Sequence, residues 1–282
     1  MGQQIPTVNG IIHLPEFAMQ RRQLLVLLGS SPLARYGHAQ PTESLPLGTA
    51  INRAGRLRAL SQRMSKLHVQ SSLGVLPDRA RDLVRQCRQL IGSSMEELGR
   101  QPLGTDTQAI FPRLQGHVER LLTLTAGSSA STRTEDVIRA ADDMLRSADD
   151  LTTAFEKQSN QIGARVVNVA GRQRMLSQRA ARAYFLQAVG GAASASQTQQ
   201  LDAARREFDD GLGYLSNASL STPAIRQQLE LARGQWLFFE QALRKPSQGD
   251  TLQTVATTSE RMYEVMDQLT TQYDQAVREL FR

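Results

Sequence analysis

Apolar positions recur along this chain at helical spacing, in long segments separated by clusters of glycine, proline and serine. These breakers predict helices over residues 49–73, 78–98, 108–124, 197–215, 223–243 and 251–281. A further segment, 134–188, contains no proline and could form one very long helix. Aromatic residues make up only 5% of the chain, and proline is scarce after Pro112, which favours helices over sheets. The predicted fold class is all-α.

One arginine-rich phrase occurs twice, as "AGRLRALSQRM" from Ala54 and "AGRQRMLSQRA" from Ala170. The windows 51–63 and 167–179 are identical at nine positions. A second echo relates "MLRSADDLTTAFEKQ" from Met144 to "MYEVMDQLTTQYDQA" from Met262. Each repeat would then comprise four helices. The pattern predicts two tandem four-helix up-down bundles, 45–157 and 158–282, joined by a long shared helix.

On a helical projection, Arg58 lies in a strip of small and polar side chains, apart from the apolar stripe. The strip comprises Ile51, Ala54, Gly55, Ser61, Gln62 and Ser65, and the stripe comprises Leu57, Leu60, Met64 and Leu67. The second copy places Arg174 between Gly171 and Ser177 in the same way. Small residues predict close approach to another helix.

Two arginines that meet across such a contact would repel, and a planar oxyanion between them could accept forked N–H donors from both. The candidate ligand-binding residues are therefore Arg58, Arg174, Gly55, Gly171, Ser61 and Ser177. The alternative is an internal salt bridge from each arginine to an acid on the second or third helix. The flanking arginines are predicted to face the exposed or bundle-edge side, where they snorkel or pair with Asp and Glu on neighbouring helices; they are Arg56, Arg63, Arg172 and Arg179.

The phrase resembles the P-box of NarX-like nitrate/nitrite sensor kinases. It resembles more closely the N-terminal domain of PilJ-type methyl-accepting transducers of type IV pili, whose motif reads roughly AGRQRMLSQR. The second copy matches this string from Ala170 to Arg179, and the first departs from it at Leu57 and Ala59. The resemblance implies a periplasmic four-helix bundle that holds nitrate or nitrite at a symmetric interface. It assigns the binding arginine to Arg58 and Arg174.

The function expected from these features is that of an exported sensor protein that binds nitrate, nitrite or a similar small anion. Receptors of this kind continue into a membrane helix and a signalling module, whereas this sequence ends at Arg282. The expected protein partner is therefore a membrane receptor or sensor kinase. The alternative is a structural helical protein of a pilus or chemoreceptor system that binds no small ligand.

The arrangement of the repeats decides how the arginines could act. Without a proline between residues 134 and 189, stacking is favoured, with Arg58 and Arg174 roughly 30–35 Å apart. Each would then need its twin in a second chain, which predicts a homodimer with two anion sites. If the helix instead breaks near Gly163, the repeats fold side by side, and Arg58 and Arg174 bind the same anion within one chain.

Composition narrows the function further. A net charge of +6 and a pI near 10 would suit nucleic acid, but acidic residues are interspersed with the arginines, so no nucleic-acid partner is expected. Cys87 is the only cysteine, and the four histidines share no motif. No metal, cofactor or catalytic nucleophile is therefore predicted, and the protein is not expected to be an enzyme.

The segment 19–40, "MQRRQLLVLLGSSPLARYGHAQ", has paired arginines at Arg21 and Arg22, a short apolar run and small residues near Ala39. This order is typical of a secretory signal, with a hint of twin-arginine export. It predicts a mis-assigned start over 1–18, cleavage near Ala39 and a periplasmic mature chain without a membrane span. The alternative is a merely disordered or mitochondrial-like basic tail.

Overall fold

A computed structural model of the chain describes residues 45–102, 104–126, 133–159, 162–190 and 194–280. These residues form α-helices and no strand. The helices are α1 (Leu47–Ser72), α2 (Pro77–Gly99), α3 (Thr105–Leu124), α4 (Thr134–Ser159), α5 (Ile162–Val189), α6 (Ser194–Ser216), α7 (Pro223–Leu243) and α8 (Asp250–Leu280). The all-α prediction is confirmed. The predicted export signal lies outside the described residues.

Local sequence signals account for several helix ends. Pro77 and Pro223 stand at the first positions of α2 and α7, where the missing N–H costs no helical hydrogen bond. The Thr222 hydroxyl caps α7 by accepting a hydrogen bond from the backbone N–H of Ile225, at 3.3 Å. Between α1 and α2, Gly74 adopts a φ of 69°, which lets the chain turn back immediately after the helix.

The helices pack as two sets of four. In the first set, α1 packs against α2 and α4, and α3 packs against α4. In the second, α5 packs against α6 and α8, and α7 packs against α8. The two sets meet extensively through α1 and α5, and the described helices all belong to one compact unit, Thr42–Arg282. The boundary predicted between residues 157 and 158 therefore does not separate two detached bodies.

Helices α1 and α5 run parallel to each other at the centre of the molecule. Their direction follows from α8, which runs antiparallel to both of them. Residue pairs in reverse order establish this: Thr49 with Asp274 and Arg63 with Glu260 for α1, and Gly163 with Val277 and Gln178 with Ser259 for α5. Because neighbours surround α1 on all sides, most of its residues are buried, including the polar strip.

The predicted long helix joining the repeats is wrong, since α4 ends at Ser159 and α5 begins at Ile162. The two helices run antiparallel, with Asp142 bonded to Arg182 and Glu156 bonded to Asn168. A straight continuation would leave α5 without α1 as a neighbour. Burial of α5 against α1 outweighs the few helical hydrogen bonds lost at the break, and no proline is needed.

The stacked arrangement is wrong for the same reason. Because the two sets lie side by side, Arg58 and Arg174 meet within one chain instead of lying tens of ångströms apart. The expectation of a homodimer rested on that separation and loses its geometric basis. Within the described ranges, none of the helices is long and apolar enough to cross a membrane.

Leu60 and Leu176 occupy corresponding, fully buried positions in α1 and α5. Replacing either by alanine is expected to lower the free energy of unfolding by about 2–4 kcal/mol, because each substitution leaves a core cavity. Leu237→Ala on α7 is the control, since this side chain is 53% exposed and should change stability by less than about 0.5 kcal/mol. Urea denaturation measures the difference; unchanged midpoints in both core variants would contradict this packing.

Candidate ligand-binding site

The two arginines of the repeated phrase meet where α1 packs against α5, beside its two glycines. A Cβ atom added at Gly55 would lie 3.1 Å from Arg58 Nη2 and 3.8 Å from Arg174 Nη2. One added at Gly171 would lie 3.1 Å from Arg174 Nη2 and 3.7 Å from Arg58 Nη2. Both guanidinium groups therefore fit against the helices because these positions lack a side chain.

Each arginine has one partner in its own half and one in the other. Arg58 donates from Nη1 to Asp149 Oδ1 on α4 at 2.7 Å, and from Nη2 to Asn168 on α5, at 2.6 Å to Oδ1 and 3.3 Å to the backbone oxygen. Arg58 is thus bonded to both halves of the molecule.

Arg174 repeats this pattern at the corresponding positions. Its Nη1 donates to Asp267 on α8, and its Nη2 donates to Asn52 on α1, at 3.0 Å to Oδ1 and 3.3 Å to the backbone oxygen. The two arginines are thus related by an approximate two-fold exchange of α1 with α5. This exchange matches the repetition in the sequence.

Both cations are deeply buried, with exposed fractions of 1% for Arg58 and 0% for Arg174. Burial lowers the pKa of each guanidinium, and Asp149 and Asp267 respectively oppose that shift. The Nε atom of each arginine is also buried and has no hydrogen-bond partner among the described residues. Each guanidinium is therefore paired with a carboxylate but retains one unused donor.

The predicted ligand serines do not face the guanidinium groups. Ser61 Oγ donates to the backbone oxygen of Arg58 at 2.7 Å, and Ser177 Oγ donates to that of Arg174 at 2.8 Å. Both hydroxyls therefore bond their own helix, one turn back. Of the six predicted residues, the structure brings together the two arginines and the two glycines.

Four polar residues of the site received no role from the sequence alone: Asn52, Asn168, Asp149 and Asp267. The asparagines are among the nine identical positions of the repeated windows, and the aspartates align in the second echo. Their identity in both copies was the available signal. The salt-bridge alternative expected acids from the second or third helix, whereas the acids come from the fourth helix of each half.

The prediction of an edge position for Arg63 is wrong. Arg63 is only 4% exposed and forms a buried charge cluster with Lys66 and Glu260. Glu260 Oε2 accepts from Arg63 Nε at 3.0 Å, and Oε1 accepts from Lys66 Nζ at 2.6 Å. The ring of Tyr263 lies 4.4 Å below the Arg63 guanidinium. Helix α8, from the other half, covers this part of α1.

Electrostatics hold Glu260 ionised in this cluster. Burial alone would favour the neutral acid, but the charges and hydrogen bonds of Lys66 and Arg63 outweigh it and lower the pKa of Glu260 to about 2. Nearby, burial raises the pKa of the Cys87 thiol to about 11, which keeps it protonated and unreactive near neutral pH. No metal-binding group of three or more histidine, cysteine or acidic side chains occurs in the described part of the chain.

Comparison with known proteins supports the resemblance over one part of the chain. Residues 157–261 match the family model of the type IV pili methyl-accepting chemotaxis transducer N-terminal domain, PilJ. This segment includes α5 with Arg174 and ends within α8. No curated protein and no solved structure matches the chain.

Glu260→Gln is expected to destabilise the protein by about 3–5 kcal/mol, because it leaves the charges of Arg63 and Lys66 buried without a counter-ion. Glu264→Gln on the same helix is the control, since the Glu264 side chain is 55% exposed and pairs with Arg261, itself exposed. Thermal or urea unfolding compares the two variants. A loss of similar size in both would show that the buried charge cluster is not responsible.

The lowered pKa of Glu260 predicts that the protein loses stability in acid. Because its folded-state pKa is about 2 and its ordinary value is 4.5, the stabilisation that Glu260 contributes is complete above pH 4.5 and is lost as pH falls towards 2. Urea midpoints measured from about pH 5 down to pH 2 should therefore fall more steeply for the natural chain than for Glu260→Gln. Parallel profiles would contradict the lowered pKa.

Proposed function

We propose that this chain is the ligand-binding part of a chemotaxis sensory system and holds one small oxyanion, nitrate or nitrite, between Arg58 and Arg174. The observation that supports this is the convergence of two buried guanidinium groups at a single helix–helix contact. Two like charges in a buried contact are costly, and an anion between them removes much of that cost.

The donor geometry suits a planar monoanion. The Nη2 atoms of both arginines lie beside Gly55 and Gly171, and each Nε is buried without a partner in the described ranges. The Nε–Nη2 edge of a guanidinium presents two parallel N–H groups, which match two oxygens of a nitrate or nitrite ion.

Binding in this site would be coupled to the contact between the halves. Asn168 accepts from Arg58 and Asn52 accepts from Arg174, so the asparagine oxygens occupy the Nη2 donors that the anion would need. An anion that displaces them replaces bonds between α1 and α5 with bonds to itself. The ligand then favours a different relative position of the two helices, which is the change that a receptor could transmit.

The same proposal extends to the two repeats, the protein partner and the cellular compartment. Residues 45–157 and 158–282 would be two copies of one sensory unit, and the match to a transducer domain supports a membrane receptor or sensor kinase as the protein partner. The site would face the periplasm, with the segment 19–40 acting as its export signal.

Calorimetric titration with sodium nitrate and sodium nitrite tests the proposal. One anion should bind per chain, because both arginines contribute to the same site. Arg58→Gln and Arg174→Gln should each weaken binding by about 2–4 kcal/mol through loss of charge-assisted hydrogen bonds. Arg85→Gln is the matched control, since this side chain is 70% exposed on α2.

Gly55→Ala provides a variant that keeps both arginines. Its Cβ would lie 3.1 Å from Arg58 Nη2, so it should shift the guanidinium and weaken binding without removing a charge. Unchanged nitrate affinity in a variant that carries both Arg58→Gln and Arg174→Gln would overturn the proposal, as would equal affinity for sodium chloride. Thermal melting of every variant separates loss of binding from loss of folding.

A second candidate is a structural interaction protein that binds no small ligand. The observation in its favour is that Asp149 and Asp267 already neutralise the Nη1 side of each arginine. On α7, Leu237 and Phe238 are 53% and 62% exposed and could contact a protein partner. In this case the titrations show no heat of binding, and substitution of Arg58 or Arg174 lowers only the stability of the protein.

A further inference from the structure

A cleft of about 340 Å³ lies between α4, α5 and α6, away from the contact of Arg58 with Arg174. Its apolar lining includes Leu145 and Ala204, and its polar lining includes Arg179, Arg182 and Asp142. With Arg146 and Glu207 also on its walls, the cleft carries three guanidinium groups against two carboxylates. It is large enough for a small organic molecule and has an excess of one positive charge.

The excess charge belongs to Arg179. Asp142 accepts from Arg182 at 2.7 Å, Glu207 pairs with Arg172, and Arg146 pairs with Asp143. Arg179 is half-buried, and it has no hydrogen bond or ion pair with any residue in the described part of the chain. Burial and the neighbouring Arg182 lower the pKa of Arg179, and Asp142 and Glu207 oppose that shift only in part, so an anion beside Arg179 would relieve the remaining electrostatic cost.

Arg182 supplies a second unused donor. It is only 3% exposed, and its Nε atom is buried without a hydrogen-bond partner among the described residues. Its Nη1 and Nη2 atoms are taken by Asp142 and, at 3.4 Å, by Gln200. A ligand in the cleft therefore meets one free guanidinium and the edge of another.

The corresponding place in the first half is closed. There Arg63 and Lys66 stand where the second copy has Arg179 and Arg182, and Glu260 bonds both of them. Asp142 stands in the place of Glu260 but is one methylene group shorter, and it bonds only Arg182 of the pair. The shorter acid leaves the other arginine free.

A second substitution between the copies opens the cleft further. Tyr263 packs beneath the guanidinium of Arg63 at 4.4 Å, whereas the corresponding residue beside Arg179 is Leu145. Leucine cannot make the cation–π contact that tyrosine makes. Arg179 therefore lacks both of the contacts that hold its counterpart in the closed half.

We propose that this cleft is a second ligand site, which binds a small monocarboxylate with its carboxylate on Arg179 and its carbon chain against Leu145 and Ala204. A single free guanidinium matches the charge and the two oxygens of one carboxylate. Sulfate and the phosphate dianion carry a second negative charge, so Asp142 and Glu207 on the same walls would repel them more strongly than a monocarboxylate. The site is separate from the proposed nitrate site and does not depend on it.

Calorimetry with sodium butanoate on the full chain tests this site. Arg179→Gln should weaken binding at least about tenfold, since it removes a charge-assisted pair of hydrogen bonds. Arg206→Gln, an exposed arginine on α6 outside the cleft, is the matched control and should bind butanoate as the natural chain does.

Asp142→Glu tests the explanation without removing any arginine. The longer acid should reach Arg179 as Glu260 reaches Arg63, and butanoate affinity should fall. Saturable binding that is lost in Arg179→Gln and retained in Arg206→Gln supports the site. Absence of butanoate binding by the natural chain, equal affinity in Arg179→Gln, or tighter binding of inorganic phosphate would overturn it.

Discussion

The contact between α1 and α5 is the constraint on which the other features of the molecule depend. It places Arg58 and Arg174 together in a buried position, where an uncompensated guanidinium would be unstable. The fourth helix of each half must therefore bring an acid to the contact, and α4 and α8 do so with Asp149 and Asp267. The chain reversal between α4 and α5 follows, because only side-by-side halves make this contact within one chain.

The halves use the same layout but reach different electrostatic results. On one side, Glu260 binds Arg63 and Lys66 in a cluster that solvent barely reaches. On the other side, Asp142 pairs with Arg182 and leaves Arg179 in an open cleft. The shorter acid and the leucine in place of Tyr263 together distinguish the open cleft from the buried charge cluster. Repeats can diverge in function in this way while their helices still pack alike.

In the proposed function, the buried charges would connect stability with ligand binding. The pairs of Arg58 with Asn168 and of Arg174 with Asn52 cross between the halves and stabilise the α1–α5 contact, and a bound anion would compete for the same donors. An apolar contact would be stable but insensitive to small ions. A polar contact in which the Nε of each arginine is unused offers donors to an anion, and the proposed function depends on this property.

The sequence by itself determined most of the helices and the presence of a repeat. Breakers and apolar spacing gave helix ends within a few residues of those observed, and the repeated phrase singled out Arg58, Arg174 and their glycines, although the favoured arrangement kept the two arginines apart. The tertiary structure alone decided that the repeats lie side by side and that the break falls after Ser159. It also decided that the partner acids are Asp149 and Asp267 and that Arg63 is buried whereas Arg179 is only half-buried. Helical periodicity is a local property that one segment carries, whereas the cost of burying a charge depends on which distant segments come to surround it.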